Sequence, residues 1–80
     1  MIRLLFFAQM RTLCGASERA VAASPGLTGE RLWDALAGEF PSLSALKGSV
    51  RLAVNGEFAP SDTPLRDGDE VVFITPVSGG

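Results

Sequence analysis

Thr28-Gly29-Glu30-Arg31-Leu32-Trp33-Asp34-Ala35-Leu36-Ala37-Gly38-Glu39-Phe40-Pro41 is the stretch on which the fold turns. Leu32, Leu36 and Phe40 recur at i, i+4 and i+8, with Trp33 and Ala37 beside them. That is an apolar stripe of helical period. Glu30, Asp34 and Glu39 fall off it. Thr28 is placed to cap the first turn, and Arg31 stands where the full reciprocal capping pair would need Glu or Gln. Pro41 ends the helix at or before Phe40, because its ring disfavours a helical residue ahead of it.

The flanking sequence has the period of strands. From Ile2 to Ala8, Ile2, Leu4 and Phe6 point one way and Arg3, Leu5 and Phe7 the other. Met10 to Cys14 suits a short helix stopped by Gly15, and Ser17 to Ala23 a second strand. Ser24-Pro25-Gly26 is a turn signal. After Pro41, Leu43, Leu46 and Val50 belong to a loop or a short helical turn. Arg51 to Val54 and Glu57 to Ala59 flank Asn55-Gly56, a strong two-residue hairpin turn. Glu70 to Thr75 is a last strand, with Val71 and Phe73 on one side and Val72 and Ile74 on the other. One main helix against one face of a mixed sheet is an α+β roll. No second long helix remains to cover the other face.

The chain has 80 residues, which is one domain. We place its body at residues 1–75 and a thin tail at 76–80. With 7 Lys and Arg against 9 Asp and Glu, the charge balance argues against nucleic acid. There is no His and only one Cys, so neither a His/Cys zinc site nor a His-dependent nucleophile can be built within this chain. A single Cys forms no internal disulfide, and a reducing cytoplasmic setting is expected. The run Leu4 to Ala8 is too short for a signal-peptide core, and no stretch approaches a membrane span.

Four features bear on function. Gly79-Gly80 follows the last strand with only Pro76-Val77-Ser78 between. An extended segment of this length reaches about 16 Å. Two residues without side chains suit a narrow channel, and the reactive group offered is the α-carboxylate of Gly80. A carboxylate is a poor electrophile, so another protein must activate it. Second, Phe7, Phe58 and Ile74 fall opposite the core-facing residues of their strands and form an apolar partner-facing patch. Third, Cys14 is a small buried apolar residue with no His to activate it. Fourth, Asp67-Gly68-Asp69-Glu70 is a tight turn, without the spaced ligands of a calcium loop. No metal site is expected.

The residues resemble a known family. Met1-Ile2-Arg3-Leu4-Leu5-Phe6-Phe7-Ala8 with Arg11 and Gly15 is similar to the opening of molybdopterin synthase small subunits. Pro64-Leu65-Arg66-Asp67-Gly68-Asp69-Glu70-Val71 and Pro76-Val77-Ser78-Gly79-Gly80 are similar to their close. The chain departs from the pattern at Ile74 and Thr75, where members often carry proline or an aromatic residue. The tail is shared with other ubiquitin-like sulfur carriers, including the thiamine-thiazole carrier.

The resemblance implies a β-grasp, ubiquitin-like fold. It implies that an E1-like adenylyltransferase uses ATP to adenylate Gly80, that a sulfur donor (a sulfurtransferase) converts it to a thiocarboxylate, and that Gly79 lets the tail fit. The large synthase subunit would receive the tail and pass sulfur to cyclic pyranopterin monophosphate, in a heterotetramer. Phe7, Phe58, Ile74, Pro76, Val77 and Ser78 are the implied interface. The chain would bind no cofactor and carry no complete active site. A sulfur carrier of another pathway, that of the thiamine thiazole, a ubiquitin-like modifier and a plain interaction domain remain as alternatives.

Overall fold

The computed structural model describes residues 1–75. The expected tail, with Pro76, Val77, Ser78, Gly79 and Gly80, lies outside the described residues. Strands β1 (Ile2–Leu5), β2 (Glu18–Val21), β3 (Arg51–Val54), β4 (Glu57–Ala59) and β5 (Glu70–Ile74) form one sheet in the order β2-β1-β5-β3-β4. The central pair, β1 and β5, is parallel, and every other pairing is antiparallel. First and last strands therefore meet in the middle, and a parallel pair needs a crossover connection. The helix α2 (Gly29–Glu39) lies in that connection, after the short helix α1 (Ala8–Cys14).

Sequence and packing agree along α2. Thr28 is extended, and its hydroxyl accepts the Arg31 backbone N–H at 3.2 Å. Leu32, Trp33 and Leu36 are buried, while Ala37 and Phe40 are half-buried at the edge of the stripe. They meet Ile2, Leu4 and Phe6 of the first strand segment, Leu52 of β3, and Val71 and Phe73 of β5. Gly29 allows a close approach where the helix starts, since a Cβ there would fall 2.4 Å from Leu52 Cδ2 and the Leu52 side chain would have to shift. Pro41–Leu46 is a 3-10 helix that buries Leu43, so this segment takes the short helical turn and not the loop.

The hairpin turn is as expected. Asn55 and Gly56 take φ of 52° and 84°, the left-handed pair that a tight two-residue turn between right-twisted strands requires. Five boundaries differ from expectation. β1 closes at Leu5 and does not run on to Ala8, which belongs to α1. The first helix begins at Ala8, two residues before Met10, and β2 is shorter than Ser17–Ala23 at both ends. β5 closes at Ile74 instead of Thr75. Phe7 caps α1 with no side-chain bond, and Ala8 sits at φ 48°, a start that carries no sequence signal.

Candidate functional site

The uncovered face of the sheet is built by strand alternation. Leu5 pairs with Val72, Val72 with Ala53 and Ala53 with Phe58, so these four form one row across four strands. Their neighbours in sequence, Leu4, Val71, Phe73 and Leu52, point into the core. Phe7, Phe58 and Ile74 are 58%, 61% and 38% exposed, high values for large apolar side chains in so small a body. A shallow depression joins them, lined by Phe7, Ala53, Gly56, Phe58, Val72 and Ile74. The expected patch is therefore one contiguous surface. Contiguous exposed apolar surface is uncommon on a small protein and is chemically suited to meeting another surface.

Charges frame the patch at its two ends. At one end, Arg3 Nε donates to Glu18 Oε2 at 3.1 Å, and its Nη1 lies 3.7 Å from Glu70 Oε2. At the other, Arg51 stands opposite Ile74 in register and places its guanidinium carbon 4.3 Å from the Phe58 ring centroid. Ile74 is the last residue of β5, so the sequence runs on to Gly79-Gly80 from the Arg51 end. Arg51 is a residue that sequence reasoning missed. The signal was present, because Arg51 shares the face of Ala53 two residues on.

Among the described residues, none that lines this depression is a nucleophile or a general acid or base. Cys14 lies on α1 and is buried. Burial pushes its thiol pKa up, partly offset by Arg19. A protonated, covered thiol is a poor nucleophile. A second concavity of about 280 Å³ lies on the core side between α2 and the approach to β3, lined by Trp33, Lys47, Val50 and Phe73 among others. Glu30, Lys47 and Ser61 are its polar lining residues. Among the described residues no cluster of His, Cys, Asp and Glu is able to hold a metal ion, and no helix is long and apolar enough to cross a membrane.

The ThiS family matches residues 4–80, nearly the whole sequence. The chain belongs to the ThiS family. It is 42% identical to the molybdopterin synthase sulfur carrier subunit of Escherichia coli strain K12, with all of both chains covered. Among solved structures it is similar to the small archaeal modifier protein SAMP1 of Haloferax volcanii, at TM-score 0.82 and 28% identity over 99% of this chain and 98% of that one. It is also similar to a chain in the complex of subunits 1 and 2 of molybdopterin-converting factor from Helicobacter pylori. That match has TM-score 0.66 and 25% identity, and covers 99% of this chain and 97% of the other. The fold of this ThiS-family chain is thus the ubiquitin-like β-grasp of sulfur carriers.

Proposed function

We propose that this chain is the sulfur carrier subunit of a molybdopterin synthase. The observation that carries the reading is the end-to-end match to the Escherichia coli sulfur carrier subunit, which spans the apolar face and the Gly79-Gly80 end alike. The chemistry follows from what the chain has and lacks. An E1-like adenylyltransferase joins the Gly80 carboxylate to the α-phosphorus of ATP and releases pyrophosphate. A persulfide held by a sulfurtransferase displaces AMP to give an acyl disulfide. A thiol then attacks the donor-side sulfur, so that the S–S bond breaks, the thiol and the donor end joined as a disulfide, and the Gly80 thiocarboxylate is left. The thiocarboxylate passes its sulfur to cyclic pyranopterin monophosphate, and water restores the carboxylate.

The large subunit supplies the pocket and the acid–base groups. The Helicobacter pylori complex supports such a pairing, since it holds subunits 1 and 2 together. Phe7, Phe58 and Ile74 are the docking surface, and Pro76, Val77 and Ser78, outside the described residues, are the further residues assigned to the interface. Gly79 keeps the end thin. The tail serves the activating enzyme and the synthase in turn, which favours a patch of moderate size over an obligate interface. The work is done in the cytoplasm, where ATP and a reducing environment are present.

Incubation with the activating enzyme, ATP and a sulfur donor tests the reading. Intact mass spectrometry should show one oxygen exchanged for sulfur, located to Gly80 by fragmentation. An unchanged mass, with the enzyme proven on another carrier, would defeat it. A second reading, a protein modifier joined through Gly80 to lysines, is favoured by the similarity to SAMP1. Conjugates on other proteins in the same incubation would support it.

A further inference from the structure

We infer that Arg51 is the polar anchor of the open face, and that the protein surface covering Phe58 brings a carboxylate to it. The inference rests on the docking surface proposed above and gives the chemistry of its occupant. Three observations carry it. The Arg51 guanidinium lies over the Phe58 ring at 4.3 Å, so the cation is seated on the apolar patch itself. Among the described residues Arg51 has neither an ion pair nor a side-chain hydrogen bond, whereas Arg3 at the opposite end is held by Glu18 and Glu70. A second shallow depression opens beside the pair, lined by Arg51, Phe58, Ala59 and Pro60 among others, which leaves room for an incoming side chain.

Docking changes the surroundings of that charge. A surface that covers Phe58 strips water from Arg51 as well. A buried guanidinium without a counter-charge is costly. With no side-chain hydrogen bond among the described residues, the Arg51 N–H donors remain available, in the fork that matches a carboxylate. A partner surface that is apolar over Phe7, Phe58 and Ile74, with Asp or Glu placed over Arg51, satisfies both demands. A wholly apolar surface satisfies only one, so Arg51 selects among partners.

Binding of the large subunit to the full chain and to Arg51→Met, Arg51→Gln and Arg51→Lys, at about 50 and about 200 mM salt, tests this. Arg51→Met and Arg51→Gln should each weaken binding by about tenfold or more and flatten the salt dependence. Arg51→Lys, which keeps the charge and loses the fork, should fall between them and the parent. Arg51 is exposed, so the variants should melt close to the parent, and having both Met and Gln guards against one failing to fold. Binding by both variants within about twofold of the parent, with unchanged salt dependence, would overturn the inference while leaving the docking surface intact if Phe58→Ala still weakens the complex. Failure of the parent chain to bind would instead sink the docking surface, and the inference with it.

Discussion

Trp33 of α2 meets Phe73 of β5 edge to face, with ring centroids 5.1 Å apart and planes inclined by 70°. The contact fastens the crossover helix to the strand that leads into the tail. Aromatic pairs in this arrangement gain beyond the area they bury. Trp33 is 5% exposed, so truncation opens a cavity. Trp33→Ala should cost about 3–5 kcal/mol, read from urea unfolding. A core in so small a domain rarely supplies more than about 3–5 kcal/mol, so the variant should be partly unfolded at 37 °C. A loss below about 1 kcal/mol would mean that Trp33 is not a core anchor.

The open face should behave in the opposite way. Phe7→Ala and Phe58→Ala remove exposed rings and should change stability by less than about 1 kcal/mol. Binding to the large subunit should fall by about tenfold or more, measured by calorimetry. Parallel losses of folding and binding would show that the faces are assigned wrongly.

Much of this division was legible in the residues. Strand alternation alone separates Ile2, Leu4 and Phe6 from Phe7, and Val71 and Phe73 from Ile74, because successive side chains must point to opposite faces. Asn55-Gly56 fixes its hairpin since few residues accept two consecutive positive φ values. What the sequence hides is local or long-range. Ala8 enters α1 at positive φ without a capping side chain, and no residue type announces that. The ends of β2 depend on how far β1 pairs with it. The central place of β5, parallel to β1, is a property of long-range pairing that no short window contains. Arg51 was overlooked because a charge beside apolar residues ordinarily faces solvent alone, and its seat on Phe58 exists only once β3 and β4 are paired.

Acid should expose a second structural tie. The Asp69 carboxylate accepts the Arg66 backbone N–H at 2.7 Å and Asn55 Nδ2 at 3.0 Å, and Asn55 Oδ1 accepts the Glu70 backbone N–H at 2.9 Å. These bonds, the Arg66 one first, hold the Asp69 pKa below the usual aspartate value. A depressed folded pKa stabilises the fold above the unfolded value of about 3.9, and that stabilisation is lost as pH falls through the folded value. Asp69→Asn should therefore lower stability at pH 7, by no more than about 1 kcal/mol for so accessible a group. The gap between variant and parent should close as the pH drops below about 4. Urea midpoints from neutral to acid pH check this, and a gap that widens on acidification would contradict it.

Cys14 offers a control on the chemistry. Its thiol is buried, and its pKa is raised by that burial. Cys14→Ser should leave sulfur loading of the chain unchanged, apart from a modest loss of stability. Loss of loading in a folded Cys14→Ser protein would mean that Cys14, and not Gly80 alone, takes part in carrying the sulfur.

If the reactive sulfur sits on Gly80 and is spent in a partner's active site, a single turnover reveals it most directly. The thiocarboxylated chain is mixed with the large subunit and cyclic pyranopterin monophosphate, without ATP or a sulfur donor, and the intact mass of the chain is followed beside product. The sulfur-bearing mass should return to the carboxylate mass in step with dithiolene formation. A thiocarboxylate that persists while a proven large subunit forms product, or product formed equally well with a chain lacking Gly79 and Gly80, would contradict the assignment of the sulfur to Gly80.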